Sequence, residues 1–214
     1  MIIVEEVKCA QGSPEWFAAR AGHVTGSRAA DVLATLKTGK PAASREDYKA
    51  QLVCERLTGK PQDTGYTNAA MERGKELEPH ARAAYEAHTG YLVMESGFLR
   101  MTDPHWVGCS LDGFIHGLSK IVEIKCPGAK NHLKWIQSGQ VPSEYLPQIR
   151  HNLWVTKAES CDFVSYHPDF PEHLQLHIVT VMPSLVDIDG YAQEIMKFLA
   201  DVEADVERMQ TWRT

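Results

Sequence analysis

A chain of 214 residues, 43% hydrophobic and 23% charged, has the apolar content to close a sizeable core, and no stretch approaches the ~18 consecutive apolar residues that a membrane span needs. Five cysteines, at 9, 54, 109, 126 and 161, form no C-x-x-C pair, which argues against a zinc knuckle or a disulfide framework; with an N-terminus that lacks the basic start and apolar core of a signal peptide, they point to a reducing cytoplasm. The net charge of −6 argues against a uniformly basic coat, but residues 20–60 hold eight Lys/Arg against four Asp/Glu, whereas residues 184–214 hold three against seven. The basic third would face a polyanion and the acidic tail water, or both would be solvated helix faces.

In chain order, Ser13-Pro14-Glu15 is a helix start: serine caps, proline fits the first turn and glutamate complements the dipole. That helix should run to about Ala21 and stop at Gly22. Thr25-Gly26-Ser27 predicts the cap of a second helix reaching about Leu36, with a loop over 37–43. Ser44 and Asp47 have capping-box spacing and predict a helix to about Leu57. Residues 67–88 have a helical pattern closed by Gly90, and Pro79 inside it predicts a kink or a junction of two helices. Strands are predicted near 91–101, 106–109, 112–116 and 120–126, then helices over 129–138 and from Pro142-Ser143 to about Thr156. Strands near 160–167 and 174–182 precede a helix from about 184 to 210, in which Ile188, Tyr191, Ile195, Phe198, Leu199, Val202, Val206 and Met209 recur at three- and four-residue steps. No repeat or linker divides the chain. The expectation is one α/β domain over 1–214, with a helical part over 13–90, a sheet core over 91–182 and a C-terminal helix over 184–210. Its hairpin makes a mixed central β-sheet flanked by helices the expected fold.

Gly108 to Pro127 is the most informative segment. It reads as a hairpin with Asp112 on one strand and Glu123-Ile124-Lys125 on the other. Alternation points Glu123 and Lys125 the same way, and a turn near Gly117-Leu118 brings Asp112 opposite them. Two carboxylates and an ammonium on one spot suit a Mg²⁺-dependent phosphodiesterase. The plainer reading is a solvated strand face in which Lys125 neutralises Glu123. Against it, Ile121, Val122, Ile124 and Cys126 make the strand apolar, so an unpaired acid there would be costly.

Further motifs carry a resemblance: Trp16 with Ala18-Ala-Arg20, Thr25-Gly-Ser27, Gly74-Lys-Glu-Leu-Glu-Pro-His-Ala-Arg82, Ser110-Leu-Asp-Gly113, Glu123-Ile-Lys-Cys-Pro127 and Tyr145-Leu-Pro-Gln-Ile-Arg-His-Asn-Leu-Trp-Val155. Over roughly residues 13–182 the chain resembles the phage lambda exonuclease family, also called YqaJ-type viral recombinases, of the PD-(D/E)xK nuclease superfamily. The resemblance implies a restriction-endonuclease-like core. It makes Asp112 and Glu123 the metal-binding acids, with the Ile124 backbone carbonyl completing one site, and Lys125 the catalytic lysine. Glu78 would add a ligand from its helix, although its i, i+4 spacing to Arg82 also suits a surface pair. Gln148 would line the site, and Arg20, Ser27 and Ser110 would hold a terminal 5′-phosphate, helped by the dipole of the helix at Ser27. Leu111 replaces the superfamily's proline, a position that shapes the turn and not the chemistry. Met71 would act as a strand-separating wedge, or else be a core methionine.

The implied activity is processive 5′→3′ digestion of double-stranded DNA to mononucleotides, leaving 3′ single-stranded tails. The implied cofactor is Mg²⁺, two ions about 4 Å apart, with Mn²⁺ as a substitute. Implied partners are double-stranded DNA ends, two further copies in a homotrimeric ring and a single-strand annealing protein, with no membrane. The setting would be the cytoplasm of a bacterial host, the gene belonging to a phage or prophage. An endonuclease of the same superfamily and a non-catalytic DNA-binding nuclease fold are the alternatives. The ten histidines show no H-E-x-x-H spacing, and His80 and His151 would at most support the site from behind.

Overall fold

The computed structural model describes residues 4–62 and 69–213. Strand β1 (Val4–Val7) precedes helix α1 (Pro14–Arg20), strand β2 (Val24–Thr25), the single turn α2 (Ala29–Val32), and the helices α3 (Ala43–Thr58) and α4 (Ala69–Thr89). Strands β3 (Phe98–Met101), β4 (Val107–Cys109), β5 (Gly113–Phe114) and β6 (Lys120–Lys125) follow. Helices α5 (Ala129–Ser138) and α6 (Leu146–Thr156) lead to β7 (Ser160–Tyr166), the turn α7 (Glu172–Gln175), β8 (Leu176–Val181) and α8 (Ile188–Gln210).

The strands form two sheets, in the orders β1-β3-β4-β2 and β5-β6-β7-β8. Both are mixed: β2 runs parallel to β4 and β6 parallel to β7, while the other neighbours are antiparallel. The expected mixed sheet is therefore present as two, divided at residues 110–112 between β4 and β5. All seven residues of β7 are buried, as suits a strand paired on both sides and covered on both faces. Period two sorts β6 between two cores. Ile121 joins a core with Leu111, Ile149, Leu153, Phe163, Ile195 and Phe198. Val122 and Ile124 join Ala81 and Tyr85 of α4 in the other. Glu123 and Lys125 share the parity of Ile121, and thus the α6 side of the sheet.

Local signals place several elements as expected. Ser13 Oγ accepts the Trp16 N–H at 3.2 Å and starts α1. Helix α8 buries Tyr191, Ile195, Phe198, Leu199, Val202 and Val206, although Met209 is exposed. Other expectations are corrected. The helix predicted from Thr25 to Leu36 is a strand, a 3₁₀ turn over Gly26–Arg28 and the single turn α2. Val24 and Thr25 are drawn into pairing with Val107 and Gly108, and the chain reverses between Thr35 and Pro41. Helix α3 starts behind Ala42 without a side-chain cap, so the Ser44 capping box does not form. Helix α4 continues through Pro79, and no junction occurs there. Proline removes only the N–H that Lys75 would accept, and both residues are exposed, where water serves that carbonyl. The start predicted at residues 67 and 68 lies outside the described residues. Residues 91–97 contribute one bridge, Met94 to Phe114, where a longer strand was expected.

The charge asymmetry also has a different use. Helix α8 lies along α3, and Arg45–Asp201 (3.4 Å), Lys49–Asp205 (3.2 Å) and Arg56–Glu203 (3.0 Å) pair the two segments. Three of the eight cations of the basic third thus pair with the acidic tail, which therefore does not simply face water. Among the described residues no helix is long and apolar enough to cross a membrane.

Candidate active site

The site forms where β6 ends. Gly113 pairs with Val122, which sets Asp112, on the connection before β5, opposite Glu123. Ile124 extends past the end of β5, and Asp112 Oδ2 accepts its N–H at 2.8 Å. The N–H and C=O of one residue point to the same strand edge, so the Ile124 carbonyl also faces the Asp112 side. Lys125 Nζ lies 2.5 Å from Glu123 Oε1 and 3.5 Å from Asp112 Oδ2. Glu78 comes from α4 on the opposite face. It lines the same open cleft, about 900 Å³, as Asp112, Ile124 and Lys125. Arg82 pairs with Glu78 at 3.2 Å, donates to the Asp112 carbonyl at 3.0 Å and also binds Glu95. Glu78 is therefore both half of the helix pair and a wall of the cleft.

Burial pushes the Glu123 carboxyl up to about 7; Lys125 opposes this and Asp112 adds to it. Burial, then the charge of Asp112, raises Glu78, with Arg82 working the other way. Burial alone would lower Lys125, but the Glu123 and Asp112 carboxylates outweigh it and hold the amine well above the ordinary lysine range. Lys125 is thus an ammonium at neutral pH, serving acids that destabilise one another. Among the described residues no three His, Cys, Asp or Glu side chains form a ready cation cage. The ammonium sits between Glu123 and Asp112 instead. The oxygen donors lining the cleft are those of Glu78, Asp112 and Ile124, with the Glu123 carboxylate held just behind by Lys125 and Asn152; such hard oxygens fit Mg²⁺ or Mn²⁺ and not a soft metal.

Arg20, Ser27 and Ser110 meet around Trp16. The Arg20 guanidinium stacks 4.1 Å from the Trp16 ring and approaches Ser27 Oγ at 3.3 Å and Thr25 Oγ1 at 3.5 Å. Trp16 Nε1–H donates to Ser110 Oγ at 2.8 Å. Ser110 is two residues from Asp112, which places this polar cluster near the acids along the chain. The expected helix-dipole support is small, because Ser27 opens only a 3₁₀ turn and one helical turn.

Gln148 lies beside Gly26, where a methyl group would come within 3.4 Å of its Cγ. Met71 lines the cleft and is 47% exposed, which removes the core-methionine alternative. His80 is exposed on α4. His151 is a core histidine, held between Tyr191 Oη at 2.7 Å and the Gly108 carbonyl at 2.9 Å. Sequence reasoning missed Asn152, whose Nδ2 donates to Glu123 Oε2 at 3.2 Å, and Tyr145, whose ring lies 5.6 Å from Lys125 Nζ. Asn152 is four residues beyond Gln148 and shares its helix face, a spacing that would have found it.

An acid pair and a lysine at the end of a mixed-sheet strand, backed by a helix acid, define a nuclease with a PD-(D/E)xK-like core. Residues 15–159 match the YqaJ-like viral recombinase domain, and the chain belongs to that family. It is similar to the alkaline exonuclease LHK-Exo from Laribacter hongkongensis, with 40% identity over 92% of this chain and 96% of that one and a TM-score of 0.80. LHK-Exo in complex with dAMP is similar over the same shares at a TM-score of 0.81. A phage related exonuclease from Haemophilus somnus 129PT shares the fold at 14% identity, over 88% of this chain and 95% of that one, with a TM-score of 0.62. No curated protein matches the chain.

Proposed function

We propose that this protein is a Mg²⁺-dependent 5′→3′ exonuclease that digests the 5′-phosphorylated strand of double-stranded DNA processively to mononucleotides. It would leave 3′ single-stranded tails for phage-type recombination by strand annealing. One observation carries the reading: the Asp112–Glu123–Lys125 cluster opens on a cleft, and Ser110, two residues from Asp112, is linked through Trp16 to Arg20 and Ser27. The planar fork of Arg20 and the two hydroxyls hold the terminal phosphate. An end held there sets the first linkage over the acids, which is the origin of directionality.

Asp112, Glu123, the Ile124 carbonyl and Glu78 would hold Mg²⁺, two ions per active site, and Mn²⁺ suits the same oxygens. The metal would supply neutralisation of the charge that builds on the phosphate and on the leaving 3′-oxygen. Lys125, kept protonated by its acids, donates to the scissile phosphate and orients the attacking water. Gln148 lines the phosphate side, and Met71 wedges between the terminal base pairs to turn one strand inward. The complex of LHK-Exo with dAMP supports a mononucleotide as product. A homotrimeric ring would explain processivity and gather basic loops around DNA despite the net charge of −6. The 3′ tail calls for a single-strand annealing protein in the cytoplasm of a phage-bearing bacterial host.

The test is end-labelled linear duplex, with and without 5′-phosphate, incubated with Mg²⁺, Mn²⁺ or EDTA. Mononucleotides released from phosphorylated ends with either metal, and none in EDTA, are expected. Cutting of closed circles would indicate an endonuclease, and binding without cutting a non-catalytic fold.

A further inference from the structure

Asn152 is 1% exposed. Its Nδ2 donates to Glu123 Oε2 at 3.2 Å. With Nδ2 turned to Glu123, the amide oxygen is directed away from the acid. The oxygen, Oδ1, is buried without a hydrogen-bond partner. It sits against Gly26, where a methyl group would come within 2.4 Å of it. An orphaned buried acceptor is costly, and leucine would fill the same space without that penalty. Packing alone therefore does not account for an amide here.

Its partners do. Glu123 has one oxygen on Lys125 and the other on Asn152. The lysine contact must loosen if a cation is to take the first oxygen, whereas the amide contact can persist and keep the carboxylate aimed. Through Gly26 the same amide touches the Thr25–Ser27 segment that faces Arg20. Gly26 is thus required for close approach and not for its backbone angles.

We propose that Asn152 is a positioning residue, which rests on the nuclease reading above: it holds the Glu123 carboxylate in place for a divalent cation and, seated on Gly26, ties that carboxylate to the terminal-phosphate segment. Loss of an outer hydrogen bond to a metal-ligating group typically lowers metal affinity or activity by about 10–100-fold. A side chain at residue 26 has the same effect by displacing the amide.

The experiment is a double-mutant cycle of Asn152→Ala, Gly26→Ala and the pair, with Asn152→Leu, which keeps the volume, as a further variant should Asn152→Ala not fold. Mg²⁺ binding is measured by calorimetry without DNA. Hydrolysis of 5′-phosphorylated duplex is measured for kcat and KM. Each single variant should bind Mg²⁺ about 10–100-fold more weakly and lose kcat with KM for DNA ends unchanged. The pair should be no worse than Asn152→Ala alone, since Gly26 matters only while the amide is present. Mg²⁺ affinity at the wild-type level in Asn152→Ala or Asn152→Leu overturns the role of Asn152, and additive losses overturn the link to Gly26. A wild-type protein that neither binds Mg²⁺ nor cuts DNA overturns the nuclease reading itself, a result separate from both.

Discussion

Asp112 is fastened by its Oδ2 to the backbone N–H of Ile124 at 2.8 Å, so one acid is anchored to the peptide between the other acid and the lysine. The geometry of the three charged groups then depends on a backbone contact and not on side-chain rotamers alone.

That contact separates folding from chemistry at Asp112. Asp112→Asn keeps an acceptor for the Ile124 N–H and removes the charge. Its melting temperature should stay within about 2 °C of wild type. Mg²⁺-dependent hydrolysis should fall by on the order of 10³-fold or more. Asp112→Ala also strands the N–H and should cost a further ~1 kcal/mol of stability. Calorimetry and single-turnover assays measure both, and wild-type cutting by Asp112→Asn would remove this residue from the site.

Arg20 is the side chain proposed to hold the terminal phosphate by its planar fork. Arg20→Ala should lower the preference for 5′-phosphorylated over 5′-hydroxyl duplex by about 10–100-fold, the value of one or two charge-assisted hydrogen bonds. Arg20→Lys should restore only part, because an ammonium cannot stack on Trp16 as a fork. Competition between the two duplexes measures the ratio, and an unchanged ratio places the phosphate elsewhere.

Helix α4 is anchored to the sheet by Tyr85, whose hydroxyl donates to Asp162 Oδ2 at 2.7 Å. Asp162 also accepts from Lys120 Nζ at 2.8 Å and from Thr180 Oγ1 at 2.7 Å. Tyr85→Phe should destabilise by about 1–2 kcal/mol, and Asp162→Ala by about 3–5 kcal/mol because it leaves a cation and two hydroxyls without their acceptor. Urea denaturation reads these directly. Glu78 lies two turns before Tyr85 on the same helix, so Tyr85→Phe should also lower hydrolysis. Full activity in that variant would show that Glu78 is positioned without this anchor.

Burial pushes the pKa of His151 down to about 4, although its bond to the Gly108 carbonyl pulls the other way. The unfolded chain takes up a proton near its ordinary value of 6.5, and the fold refuses one until about pH 4. The contribution of His151 is therefore complete above pH 6.5 and lost as pH falls towards 4, at roughly 1.4 kcal/mol per pH unit. Wild type should lead His151→Gln in urea stability near pH 7.5, with the lead narrowing through that window. A constant lead from about pH 7 to 4 would mean that His151 titrates like an exposed histidine.

Signals between near neighbours in the chain were legible before any folding was considered. The Ser13 cap, the apolar stripe of α8 and the alternation Ile121-Val122-Glu123-Ile124-Lys125 follow from backbone periods of 3.6 and 2, which a few residues suffice to display. The hairpin turn set Asp112 opposite Glu123 for the same reason, so the chemistry of the cluster could be read before its surroundings. Thr25-Gly26-Ser27 was misleading because its helix-start signal is weaker than pairing with Val107 and Gly108, some eighty residues away.

Long-range packing settled the remainder. It split the strands into two sheets, set the basic third against α8, and brought Asn152 to Glu123 across 29 positions and Trp16 to Ser110 across 94. Such partners are chosen by how the helices and sheets fill space against one another. No local period records that choice, because the free energy that makes it belongs to surfaces that meet only in the folded chain.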